Sequence, residues 1–242
     1  QGGNALPKDP QMKLFLRVTG SAALLGGAVI SSAATTTLSP TQDTRLLTFS
    51  PTGIFGADQI FSTYNAGATN DQRSLVQFDL SSIPAGDVIT SATLNLWGDN
   101  SFGSGVTTTE IYRVTNPWVE MQATWLDRQA GTPWSTPGGD SVGTTGAANV
   151  NPYATWSGNQ VTKWYTFNIT SLVSEWHAGT HANYGLHMLG PDTNRLIYAS
   201  KEHPQVSLRP YLTVTHQAVP EPATLLVSGL ALLALRRRRR AA

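Results

Sequence analysis

Residues 46–214 are cut into short runs of alternating polar and apolar residues, separated by Gly, Pro, Asn and Asp. Alternation sends successive side chains to opposite faces of an extended backbone, and breaks this frequent leave no room for long helices. In residues 74–80, Val76, Phe78 and Leu80 share one face, and residues 81–86 supply Pro84 and Gly86 for a turn. In residues 91–97, Ala92, Leu94 and Leu96 point inward while Thr93, Asn95 and Trp97 point outward. Tyr165, Phe167 and Ile169 form the next inward row, opposed by Trp164, Thr166 and Asn168. Leu186 with Met188, Leu196 with Tyr198, and Leu212 with Val214 add three shorter rows. Helical spacing occurs at Leu172, Val173 and Trp176, which predicts one or two turns over residues 171–177. The expected fold is all-β, an antiparallel two-sheet jelly-roll β-sandwich over about residues 44–216. Residues 132–158, rich in Gly, Thr, Ser and Asn, read as a long loop or irregular edge.

Composition narrows the function classes. Forty per cent hydrophobic residues exclude a disordered chain, and 13% charged residues exclude a coiled coil. The formal charge of +1 is misleading, because five of the basic residues form the tail. Between Thr35 and Ala218 there are eight basic and thirteen acidic residues, which argues against nucleic acid as a partner. The chain has no Cys, but a domain of this size needs no disulfide to be stable.

Both ends read as sorting signals, giving three parts: residues 1–34, 35–218 and 219–242. Residues 1–11 look like upstream sequence. A basic start at Met12, Lys13 and Arg17, an apolar stretch over residues 18–30 and the small residues Ser32, Ala33 and Ala34 then make a secretory signal peptide. The expected cut by signal peptidase is near Ala34. At the other end Pro220, Glu221 and Pro222 precede thirteen mostly apolar residues, 223–235, and then five Arg, 236–240. At 1.5 Å per residue such a helix spans about 20 Å, short of the ~30 Å hydrocarbon core. The Arg cluster would stay on the cytoplasmic side and leave the domain outside the inner membrane. This tail resembles the PEP-CTERM sorting signal of Gram-negative bacteria, matched at Pro220, Glu221 and Pro222. The resemblance implies cleavage by an exosortase-type processing enzyme after a transient stay in the inner membrane, in envelopes that make exopolysaccharide. A permanent short anchor is the alternative.

The middle of the chain resembles the DNRLRE-domain family of secreted jelly-roll modules. The matching pieces are residues 73–86 (RSLVQFDLSSIPAG), 91–97 (SATLNLW), 112–114, 118–120, 123–125 and 169–179 (ITSLVSEWHAG). Residues 183–186 (NYGL), 198–202 (YASKE) and 209–214 (RPYLTV) complete the series. Lys201 stands where Arg is usual in that family. The resemblance implies a jelly-roll accessory module without catalysis, some of whose relatives bind alginate.

Several residue sets could carry chemistry. Trp97 and Trp164 fall on outward strand phases, where they either form a sugar-binding face or cover the second sheet. Trp118, Trp125 and Trp176 sit beside apolar partners and read as core, while Trp134 and Trp156 lie in the loop-rich region. Arg73, Lys163 and Lys201 are, with Trp97 and Trp164, the candidate carbohydrate contacts, since cationic side chains suit a carboxylated glycan. Asp58, Asn65, Asn70 and Asp71 are oxygen donors of the kind that hold a structural Ca²⁺, and equally what turns require. His177 and His181 are four apart, but Gly179 lies between them and they read as solvated loop residues. Glu120 and Glu202 are the candidates for a paired acid and base, were the chain an enzyme.

The leading expectation is a secreted, non-catalytic module that binds polysaccharide, an acidic alginate-like glycan included, in the envelope or extracellular matrix of a Gram-negative bacterium. The alternatives are a structural matrix or surface-assembly protein and, more weakly supported, a carbohydrate-active enzyme. No cofactor is expected beyond the Ca²⁺ noted above.

Overall fold

The computed structural model describes residues 32–99 and 105–219. The export segment as far as residue 31 and the sorting motif Pro220, Glu221 and Pro222 lie outside the described residues. No helix among the described residues is long and apolar enough to cross a membrane.

The first half runs through β1 (Ala33–Leu38), β2 (Pro40–Leu47), β3 (Ile60–Asn65), β4 (Asp71–Phe78), β5 (Asp87–Asp99) and β6 (Val106–Val114). Three short pieces follow, β7 (Asp127–Gln129), β8 (Thr132–Pro133) and β9 (Ser141–Val142), before β10 (Ala154–Asn159) and β11 (Lys163–Asn168). Then come α1 (Thr170–His177), β12 (Leu186–Leu189), β13 (Leu196–Ala199) and β14 (Tyr211–Ala218).

All pairings between these strands are antiparallel. One set runs β1-β14-β5-β11, and β13 takes the end of β5 that β14 leaves free. The other runs β2-β4-β12-β6-β10. Strand β3 pairs with both β13 and β4 and so joins the two sets. The result is an all-β arrangement consistent with a β-sandwich.

The predicted inward rows meet in one core. Val76, Phe78, Leu80, Leu94, Leu96, Phe167, Ile169, Leu186 and Leu212 are all exposed by 9% or less. Register explains how: Leu212 lies opposite Leu94, and Leu94 opposite Phe167, so alternate residues of three strands form one apolar line. Helix α1 adds Leu172, Val173 and Trp176 to this core. It ends where Gly179, at φ +69°, lets the backbone turn left-handed, a conformation that a Cβ disfavours. Side chains also hold the middle of β1: His216 Nε2 meets Thr36 Oγ1 at 2.9 Å while its Nδ1 meets Asp87 Oδ2 at 2.6 Å.

Two features refine the sequence reading. Residues 132–158 are the irregular edge and not one long loop, because β8, β9 and most of β10 fall within or across them and β10 ends the strand order. The alternation of β10 is diluted by Gly158 and Asn159, yet it pairs with β6 from Ala154 opposite Ile111 to Asn159 opposite Val106. The second feature is a satellite core of Leu46, Leu75, Val114, Trp118, Ala123 and Trp134. Leu75 points away from Val76, so the chain between β6 and β10 covers the outer face of β4. Both indoles there are satisfied: Trp118 Nε1 donates to Tyr184 O at 2.8 Å and Trp134 Nε1 to Thr124 O at 3.0 Å.

Candidate functional site

The outer face of β11, β5 and β14 carries a row of aromatic rings. Trp164 lies directly opposite Trp97, and Tyr211 opposite Asn95, so all three side chains leave the sheet on the side away from the core. The Trp97 and Trp164 ring centres are 5.6 Å apart at 70°, and those of Trp164 and Tyr211 are 5.2 Å apart at 67°. All three are half-buried, with the exposed Thr166 and Asn168 and the half-buried Thr93 and Thr213 beside them on the same face. Asn95 is fixed among these strands by donating from Nδ2 to Thr93 O at 3.0 Å. The rings brace one another edge to face, so they stay in place without a ligand.

Tyr211 also forms one wall of a groove of about 830 Å³, between the β1–β2 corner and the connection from β13 to β14. Its polar lining includes Thr37, Ser39, Lys201, Glu202, Ser207 and Arg209. Arg209 is oriented by Nε donating to His203 O at 2.8 Å. Aromatic faces, hydroxyls and two cationic side chains thus occupy one continuous stretch of surface.

Behind the groove the structure assembles a cluster from three distant parts of the chain. Asp43, Glu120 and Glu202 each place a carboxylate oxygen within 4.8 Å of the others. Lys201 Nζ lies 3.0 Å from Glu120 Oε1 and 2.5 Å from Glu202 Oε1. Asp43 Oδ2 accepts the Lys201 backbone N–H at 2.7 Å, and the Asp43 N–H donates to Glu120 Oε1 at 2.7 Å. Burial pushes the Asp43 carboxyl up to about 8, and the charges of Glu202 and Glu120 add to that against the lowering hydrogen bond from Lys201. Burial opposes the charge on Lys201, but hydrogen bonds to Glu202 and Glu120 outweigh it and raise the ammonium above its ordinary value. Glu120 and Glu202 do come together, but within 4.8 Å and bridged by Lys201.

The other sequence candidates are placed elsewhere. Arg73 donates from Nε and Nη2 to Asp71 Oδ2 at 3.0 and 2.7 Å, and its guanidinium stacks over Trp125 at 4.8 Å. It ties β4 to the covering chain, away from Trp97 and Trp164. Lys163 Nζ sits 4.9 Å from the ring centres of both Trp156 and Tyr165, at the inner rim. Of the Ca²⁺ candidates, Asp58 pairs with Arg45 at 2.5 Å and Asp71 with Arg73. Asn65 Oδ1 accepts the Gly67 N–H at 3.0 Å in a turn, and Asn70 Oδ1 accepts from the side chain of Gln72 at 3.0 Å. His177 Nε2 is 3.1 Å from the Asp87 carbonyl.

Sequence reasoning missed Asp43, Tyr211 as part of the aromatic row, and His187. His187 is fully buried under Gly139, with Nδ1 2.8 Å from Ser141 Oγ and Nε2 without a partner. Burial, reinforced by the Arg73 charge, holds it well below the ordinary 6.5. No local signal marked Asp43 or His187, since each stands in a strand among ordinary neighbours. Tyr211 could have been found from the outward phase of β14.

Two family models match the chain. The model of carbohydrate-binding module family 96 matches residues 34–216. The model of the PEP-CTERM protein-sorting motif matches residues 218–240. The first is the kind of module that the DNRLRE resemblance implied, although it does not carry that family's name. No curated protein matches the chain.

Proposed function

The chain belongs to carbohydrate-binding module family 96, and from that premise we propose that it holds a polysaccharide against the outer face of β11, β5 and β14. The sorting motif indicates an exported, envelope-associated protein, which supports a glycan of the cell surface as the partner. The carrying observation is the row Trp97, Trp164 and Tyr211 running into the groove that Lys201 and Arg209 line. Flat aromatic faces suit the C–H faces of sugars, hydroxyl-bearing neighbours suit their hydroxyls, and the Arg209 guanidinium suits a uronate carboxylate. Because neighbouring rings stand 67–70° apart, one sugar ring can lie flat on one of them but not on all. That favours a single chain over the flat surface of a crystalline polymer. Jelly-roll connectivity, absence of catalysis, removal of a signal peptide, exosortase cleavage and residence in the exopolysaccharide matrix of a Gram-negative bacterium belong to the same reading.

Affinity gels test it. Purified protein should be retarded by gels containing the host's exopolysaccharide or alginate, more than by neutral glucans, and Trp97→Ala should weaken that binding several-fold. If no gel retards the protein, and it instead self-associates through the same aromatic residues, the face is an assembly surface.

A further inference from the structure

The cluster behind the groove has the parts of an amide-forming site, which sugar binding does not require. Its nucleophile is Lys201 Nζ, 3.0 Å from Glu120 Oε1. The Asp43 backbone N–H donates to that same oxygen at 2.7 Å, polarising the carboxyl group and stabilising charge that builds there during attack. Glu202 Oε1, 2.5 Å from Nζ, is placed to take a proton from the ammonium. Its second oxygen is buried without a hydrogen-bond partner. Asp43, 1% exposed, lies within 4.8 Å of both glutamates, a separation at which a proton reaches a departing oxygen through one water.

We propose that Lys201 and Glu120 condense into an intramolecular amide, a covalent staple joining the connection after β13 to the chain that covers the satellite core. The Nζ lone pair forms the bond to Glu120 Cδ, and the bond from Cδ to one carboxyl oxygen breaks. That oxygen leaves as water with the two protons the ammonium nitrogen sheds. Glu202 and Asp43 relay those protons and finish as they began. An ammonium and a carboxylate become one neutral amide and one water, with no oxidant or co-reactant.

Proximity supplies the rate. Groups held in contact react with effective molarities on the order of 10⁵–10⁸ M. The raised Asp43 carboxyl is consistent with a resident proton at neutral pH. The resting state is an ion pair, so a proton must move before attack, and the bond should form slowly after folding. A chain without Cys has no disulfide for this task.

Peptide mapping of the full-length protein tests the proposal. The expected result is a peptide pair joined through Glu120 and Lys201, one water (about 18 Da) lighter than the sum of its parts, with the linked fraction rising as the protein ages. Lys201→Arg keeps the ion pairs but offers no amine able to form the link, and both peptides should then run separately. Glu120→Ala should do the same. Aged wild-type protein that yields only unlinked peptides overturns the proposal. So does a link from Lys201 to Asp43, or a mass loss that persists in Lys201→Arg.

Discussion

Trp164 and Trp97 stand directly opposite each other on β11 and β5, their ring centres 5.6 Å apart at 70°. Each restricts the rotation of the other on a face that the core does not use. An aromatic side chain on a solvent face costs solubility, and a braced one keeps its orientation for a partner.

Trp164→Ala should weaken polysaccharide retention by about 1 kcal/mol, about fivefold, because it removes a stacking face and the brace for both Trp97 and Tyr211. The side chain is half-buried on the outer face, so the melting temperature should change little. Dissociation constants from affinity gels, alongside a thermal melt, separate the two effects.

Asp43 makes stability fall as pH rises. Its carboxyl titrates near 8 in the folded chain and at the ordinary 3.8 when unfolded. Between those values the unfolded chain is ionised there while the folded chain holds the proton, so each step up in pH favours unfolding. Asp43→Asn keeps an oxygen for the Lys201 N–H and has no proton to lose. Its melting temperature relative to wild type should therefore climb from pH 4 to pH 8 and then level.

His187 acts at the acid end with the opposite slope. Below the ordinary 6.5 the unfolded imidazole takes a proton that the buried one refuses, so stability drains away as pH falls. His187→Asn should be less stable than wild type at pH 7, having lost packing under Gly139. The gap in urea midpoint between the two should narrow toward pH 5. A gap that stays constant would mean the buried imidazole does not titrate in this way.

Gly185→Ala should destabilise the fold by about 1–3 kcal/mol. Gly185 sits at φ +87°, and an added Cβ would meet Val76 O at 2.4 Å. Its carbonyl also accepts the Val114 N–H at 3.0 Å, so a shift at this point disturbs β4 and β6 together. Chemical denaturation gives the number directly.

What the sequence determined by itself was the phase of each strand. Whether Val76, Phe78, Leu94 or Phe167 faces inward depends on a two-residue period, which neighbouring residues state without help from the rest of the chain. The same local logic put Trp97 and Trp164 on the outer face, marked α1 from Leu172, Val173 and Trp176, and identified the tail from its motif, apolar run and Arg cluster. Which residues meet across strands was decided by the tertiary structure. Tyr211 joins the aromatic row because β14 pairs with β5 in one register, set by closure of the whole core. Leu75 is buried on the face opposite Val76 only because the long connection after β6 folds over it. Asp43 and Lys201, 158 positions apart, meet beside Glu120 because the β1–β2 corner and the end of β13 are packed together. Periodicity is a property of a segment, whereas a contact between segments depends on every loop and register between them.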